Sequence, residues 1–106
     1  MKYMLLICVD PDAQSTSSGP TIEEWVAEVE GKRLDGSAFH SPKDATTVRT
    51  RGDEVLLSDG PFAETREFIA GFDIIDVEDL DEAIRIASRH PCARVGAVEV
   101  RPFRDL

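Results

Sequence analysis

The sequence predicts an α+β protein with a ferredoxin-like antiparallel sheet and two helices on one face. The patterns follow the order strand, helix, hairpin, strand, helix, strand, which is typical of this arrangement. Two strand-like segments, 3–9 and 67–77, are apolar on both parities, whereas a half-exposed strand alternates. Two helices cover only one face of such a sheet, so we expect the second apolar face to meet a second copy in a homodimer.

The first strand is predicted over 3–9, an uninterrupted apolar segment that ends at Asp10-Pro11. Cys8 lies inside it and is expected to behave as a small hydrophobe. The segment is too short for a transmembrane helix and carries no cleavage pattern of a signal peptide. We therefore expect a cytoplasmic protein. The small polar residues of 12–20 predict a loop.

A first helix is predicted from Thr21, which has the spacing of a capping box with Glu24. The helix is expected to end near Leu34, where Asp35-Gly36 interrupts the pattern. Segment 38–40 is interpreted as a short strand or a turn. The apolar stripe of this helix consists of Ile22, Trp25, Val26 and Val29.

The middle of the chain predicts a β-hairpin followed by a long buried strand. Segments 46–51 and 54–58 are rich in strand-forming residues and flank Gly52-Asp53. The next segment, 67–77, is apolar on both parities and predicts a strand that is buried on both faces.

A second helix is predicted from Asp79, with Glu82 completing another capping box, until Pro91 ends it. Acidic residues occupy its first turn and basic residues its last turn, which suits the helix dipole. His90 is interpreted as one of the cations at the end of this helix and is assigned no chemistry. A final strand is predicted over 95–103. The predicted domain organisation is one domain, 1–106.

Composition limits the classes of partner. With 12 Lys and Arg against 21 Asp and Glu, the formal charge is −9. This charge is repelled by phosphate backbones and anionic lipid surfaces, so neither nucleic acid nor membrane is expected as a partner. Cys8 and Cys92 have no metal-ligand spacing and are expected to be reduced thiols. No dinucleotide or phosphate-loop motif occurs, so no metal and no cofactor is predicted.

The segment Asp59-Gly60-Pro61-Phe62 resembles the DGPF group of YCII-related proteins. The resemblance implies a dimeric α+β barrel of ferredoxin-like subunits with no established activity. It also implies a suspected His–Asp pair in a pocket and, for some relatives, a link to sigma factors. Here the predicted first helix contains no histidine, so only His40 and His90 are available. Further segments that carry the resemblance are 1–6, 45–49, 63–65, 71–72, 75–77, 81–83 and 98–102.

The candidate catalytic residues are Asp59 and His40. Asp59 is interpreted either as an acid, base or ligand anchor or as a turn residue that accepts backbone hydrogen bonds beside Gly60. His40 has a reference pKa of roughly 6.5, which suits a proton shuttle, and it is alternatively a loop residue. The candidate ligand-binding residues, each of which is otherwise a solvated polar side chain, are Glu64, Thr65, Arg66 and Arg49.

Two functions remain open at this point. The first is a small-molecule site, with or without catalysis, in a cavity between facing sheets or beside the Asp59 turn. The second is a non-enzymatic accessory module that binds a partner protein, linked to sigma-factor-dependent transcription. The acidic composition favours a basic protein over DNA as the partner in this second case.

Overall fold

The computed structural model describes residues 1–14 and 18–104; part of the predicted loop 12–20 lies outside them. Six strands, three helices and one 3₁₀ turn occur in this part of the chain. In order, they are β1 (Lys2–Val9), α1 (Ile22–Glu28), β2 (Arg33–Ala38), the 3₁₀ turn (Pro42–Asp44), β3 (Thr46–Arg51), β4 (Glu54–Asp59), β5 (Phe68–Asp76), α2 (Leu80–Arg89), α3 (Cys92–Val95) and β6 (Gly96–Pro102).

The main sheet has four antiparallel strands in the order β2-β5-β1-β6. β1 lies in the interior, where Leu5 pairs with Asp73 of β5 and with Val100 of β6. The chain is thus an α+β protein, and the strand order is consistent with the predicted ferredoxin-like arrangement.

Helices α1 and α2 pack on one face of this sheet and close the hydrophobic core there. Trp25 of α1 is fully buried together with Leu5 and Ile75 of the sheet. Its indole Nε1 donates a hydrogen bond to the Ile86 carbonyl oxygen of α2 at 2.8 Å, which ties the two helices together. The other members of this core are Tyr3, Ile7, Val29, Val77, Ala83 and Ala87.

The predicted start of α1 is confirmed. Thr21 Oγ1 accepts a hydrogen bond from the Glu24 backbone N–H, and Glu24 Oε1 accepts one from Thr21 N–H, each at 3.2 Å. At α2, Asp79 caps the Glu82 N–H at 2.9 Å. The second capping box is incomplete, because the Glu82 carboxylate instead accepts from Glu78 N–H and pairs with Lys32.

The predicted end of the first helix near Leu34 is wrong. α1 ends at Glu28, Gly31 turns the chain with a φ of 89°, and the following residues form β2 at the edge of the sheet. Pairing with β5 supplies the hydrogen bonds that local sequence does not predict. Arg33 anchors the start of β2, since its Nε lies 2.7 Å from Oδ1 of the buried Asp73.

The predicted hairpin is confirmed, but β3 and β4 form a separate two-stranded sheet instead of joining the main one. Its base is held by the Gly60 backbone N–H, which donates to the Ala45 carbonyl at 2.7 Å. Thr47 Oγ1 also donates to the Gly60 carbonyl at 2.9 Å. The hairpin therefore forms an arm, which we call the hairpin arm (46–59).

The interpretation of His90 as a cation at the end of the second helix is wrong. His90 is buried, and its ring meets the Trp25 ring edge-on with the centroids 4.6 Å apart. Its Nδ1 accepts a hydrogen bond from the Cys92 backbone N–H at 3.0 Å, which requires an unprotonated Nδ1. Burial lowers the pKa of His90, and the charge of Asp73 opposes that shift only in part.

Candidate functional site

A wide cleft lies on the side of the main sheet that the helices do not cover. It has a volume of about 1620 Å³. Two loops that flank the hairpin arm, 39–45 and 60–67, form its walls, and residues of β1, β5 and β6 close its base. The insertion of the hairpin arm between β2 and β5 is what brings these two loops together.

The base of the cleft is built around Cys8 near the end of β1. Ile69 of β5 and Ala97 of β6 pair with Cys8 on either side, and all three residues line the cleft. Partial burial raises the pKa of the Cys8 thiol, and the negative charges of Glu99 and Glu67 raise it further. Two carboxylates, Glu67 and Glu99, therefore lie close to the base of the cleft.

Aromatic rings stand in both walls. Phe39, just after β2, stacks on Phe72 with the ring centroids 5.8 Å apart. Phe62 is 82% exposed, and the guanidinium carbon of Arg49 lies 5.9 Å from its ring centroid. An apolar side chain this exposed in a cleft is available for contact with another molecule.

The Asp59 turn lies at the end of the hairpin arm. Gly60 is buried, lines the cleft and has a φ of 99°, a left-handed conformation that favours glycine. Asp59 is exposed and pairs with Thr46 at the last position of the hairpin ladder. In the described residues its carboxylate accepts no hydrogen bond, and Asp59 is not among the residues that line the cleft.

The structure brings four of the six candidate residues to the cleft: His40, Glu64, Thr65 and Arg66. His40 is exposed in the wall that contains Phe39. Thr65 Oγ1 donates to the Glu67 carbonyl, and Arg66 forms an exposed ion pair with Asp12. Asp59 and Arg49 lie outside the lining, although Arg49 reaches it indirectly through the Phe62 ring.

The sequence patterns did not indicate the residues that supply the aromatic walls of the cleft and the thiol and carboxylates near its base, namely Phe39, Phe62, Cys8, Glu67 and Glu99. The sequence did not place the phenylalanines in the cleft, because an apolar side chain gives no local sign of which face it occupies. Phe62 had one available signal, since it follows a Gly-Pro turn that interrupts strand structure.

Across 1–14 and 18–104, no group of three or more His, Cys, Asp or Glu side chains is placed to hold a metal ion. No helix in the same part of the chain has the length and apolar character needed to cross a membrane.

Comparison with known proteins identifies the family. The model of the YCII-related domain matches residues 1–106. An uncharacterised protein of Rhizobium meliloti (strain 1021) is 45% identical over 61 residues, which cover 56% of this chain and 49% of that protein. The chain thus matches about half the length of this relative. Because the family model spans all 106 residues, the chain belongs to the YCII-related domain family.

Proposed function

We propose that this protein, as a cytoplasmic member of the DGPF group, binds a small molecule in the cleft beside the hairpin arm. The observation that carries the proposal is the cleft itself, which combines apolar walls with a few polar groups. This combination is typical of ligand sites. Phe39 and Phe62 offer apolar contact, while His40 and Thr65 offer polar groups in the same cleft.

The volume supports a site that is completed by a second copy. Ligand pockets typically measure about 300–1000 Å³, and this cleft is larger at about 1620 Å³. The uncovered face of the sheet continues from the cleft with half-buried apolar residues, among them Met4, Leu6 and Ile74. We propose that two copies pack these faces together in a homodimer, as a dimeric α+β barrel, and narrow the cleft between them.

A thermal-shift screen of a metabolite library tests the ligand proposal. Compounds that stabilise the protein are then measured against Phe62→Ala and His40→Ala, two exposed positions where folding is expected to be unaffected. We expect both variants to lose at least half of the ligand-induced shift. Unchanged shifts in both variants would place the binding site elsewhere and contradict the proposal.

Asp59→Ala separates the two interpretations of that residue. If Asp59 anchors the ligand, its loss abolishes ligand-induced stabilisation while the circular dichroism spectrum is retained. If Asp59 only ends the hairpin ladder with Thr46, ligand binding is unchanged.

Light scattering tests the homodimer. Leu6→Glu places a carboxylate in the middle of the uncovered face, where a facing sheet would bury it. We expect the wild-type protein to have twice the mass of the chain at micromolar concentration and the variant to be monomeric. A folded wild-type monomer under these conditions would contradict the proposed assembly.

One observation favours the alternative, a non-enzymatic accessory module linked to sigma-factor-dependent transcription. Val48, Val55 and Leu57 share one face of the hairpin arm, and each is at least 60% exposed. Such a face suits contact with another protein. Under this alternative, Val48→Ser/Leu57→Ser abolishes co-purification with a sigma factor, whereas Phe62→Ala does not.

A further inference from the structure

We infer that the cleft selects ligands that carry a positive charge on an apolar body, such as an aryl- or alkylammonium ion. This inference rests on the proposed function, because it names the class of ligand for the same cleft. It is argued from the charges at the base of the cleft and from the aromatic rings in its walls.

The charges in the lining are mostly negative. Among the residues that the structure describes, five carboxylates line the cleft, against two basic side chains, Lys43 and Arg66. Arg66 is paired with Asp12, but both side chains are more than half exposed, so this ion pair is weak and the majority of carboxylates decides the charge of the lining. The carboxylates are Asp10, Asp44, Glu64, Glu67 and Glu99.

Two of these carboxylates lie on either side of β1. Glu67 immediately precedes β5, and Glu99 lies in β6, and these two strands are the neighbours of β1. Both residues line the cleft together with Cys8, and their charges add to the effect of burial in raising the pKa of the Cys8 thiol. Arg101 lies 3.5 Å from Glu99, but both side chains are more than half exposed, so this ion pair is weak.

The walls suit the rest of such a ligand. The Phe39 and Phe62 rings line the cleft and are both exposed. Aromatic faces attract ammonium groups as well as apolar bodies. The Arg49 guanidinium lies 5.9 Å from the Phe62 ring centroid, so we expect the ammonium group at the base and the apolar body of the ligand against the rings. A carboxylate or phosphate ligand would instead bring its charge towards Glu67 and Glu99, and repulsion would weaken its binding.

Three matched probes test the inference by calorimetry: 2-phenylethylammonium, the neutral 2-phenylethanol and the anionic 3-phenylpropionate. They share a phenyl ring on a short chain and differ in charge. We expect the ammonium ion to bind about tenfold tighter than the alcohol, and the anion to bind weakest. Raising the salt concentration should reduce the advantage of the ammonium ion.

Charge-neutralising variants test the location. Glu67→Gln/Glu99→Gln should weaken binding of the ammonium ion at least fivefold and leave the alcohol unchanged. The control Glu23→Gln/Glu30→Gln removes the same charge from α1 and the turn after it, outside the cleft, and should change neither affinity. An equal loss in both double variants would mean that overall charge, and not the cleft, is responsible, and would overturn the inference.

The outcomes separate this inference from the proposed function. If the alcohol or the anion binds as tightly as the ammonium ion, and Phe62→Ala weakens that binding, the cleft is a ligand site but the charge selection is wrong. If none of the three probes binds at millimolar concentration, the inference is overturned, while the library screen decides the proposed function independently.

Discussion

The two faces of the main sheet differ although the same strands form both. On the helix side, Leu5 and Ile75 are fully buried and the core is closed by α1 and α2. On the other side, Cys8 and Phe72 are only partly covered, and the cleft opens beside them. Successive residues of a strand point to opposite faces, so one segment supplies both environments. In this protein, stability comes from one side of the sheet and the candidate recognition surface lies on the other.

Of the substitutions that test this difference between the faces, Trp25→Ala is expected to lower the free energy of unfolding most. It removes a fully buried ring and its 2.8 Å hydrogen bond to Ile86 from the helix side. Urea denaturation should show a loss of about 4 kcal/mol in the free energy of unfolding. Phe62→Ala on the cleft side is the matched control and should stay within about 0.5 kcal/mol. Similar losses in both variants would refute the division between the faces.

Arg33→Met is expected to be next in size. It leaves the carboxylate of the buried Asp73 without the guanidinium that now lies 2.7 Å away. Removing one partner of a buried ion pair costs about 3 kcal/mol, which urea denaturation would measure. The double variant Arg33→Met/Asp73→Leu should recover most of that loss. A double variant as unstable as Arg33→Met would mean that edge strand β2 depends on Arg33 for packing and not for charge.

The buried His90 predicts a smaller, pH-dependent effect on the helix side. Its pKa is lowered in the folded protein, so the unfolded chain binds more protons below a reference value of about 6.5. Stability is therefore complete above that pH and falls as the pH drops from there towards the folded pKa. Urea denaturation should show that the free energy of unfolding of the wild-type protein falls between pH 7 and pH 5. His90→Gln should remove the part of this fall that is due to His90. If the pH dependence of the variant equals that of the wild type, the pKa of His90 is the same in the folded and unfolded states, and the prediction is wrong.

Leu57→Ser in the hairpin arm is expected to have the smallest effect on folding. Leu57 is 68% exposed, so it contributes little burial to the chain itself, and the free energy of unfolding should change by no more than about 0.5 kcal/mol. Denaturation is measured at a concentration where light scattering gives the monomer. A loss above about 1 kcal/mol would mean that the hairpin arm packs against its own domain.

Sequence patterns predicted the elements whose signals are local. The capping pair Thr21 and Glu24, the hairpin around Gly52 and the long apolar strand β5 all lie where the residues indicated. These features depend on neighbours within a few positions, which a pattern records. The α+β class followed from their order.

Strand β2 was missed because its stability comes from distant residues. Its sequence, Arg-Leu-Asp-Gly-Ser-Ala, has little β-propensity, and only pairing with β5 makes it a strand. Gly36 is needed there, since a Cβ atom would overlap the Asp73 carboxylate, the Arg33 guanidinium and the Phe72 carbonyl. That requirement exists only once the two strands have met.

The site was predicted in part for a similar reason. His40 and the segment 64–66 were chosen as polar residues near turns, and they line the cleft. Glu99 and Cys8 come from the two ends of the chain, and no spacing in the sequence indicates that Glu99 influences the Cys8 thiol. Burial of His90 likewise depends on a ring contact with Trp25, far away in the chain.

The chain contains a single tryptophan, and its position makes it an optical reporter of one half of the molecule. The indole of Trp25 senses the helix layer and the imidazole of His90, while the sheet separates it from the cleft. Emission that shifts during acid titration would report on the imidazole. A shift of the Trp25 emission on adding a ligand would mean that binding in the cleft changes the packing on the helix side of the sheet. Constant emission during saturable binding would mean that the helix side is unaffected by the ligand.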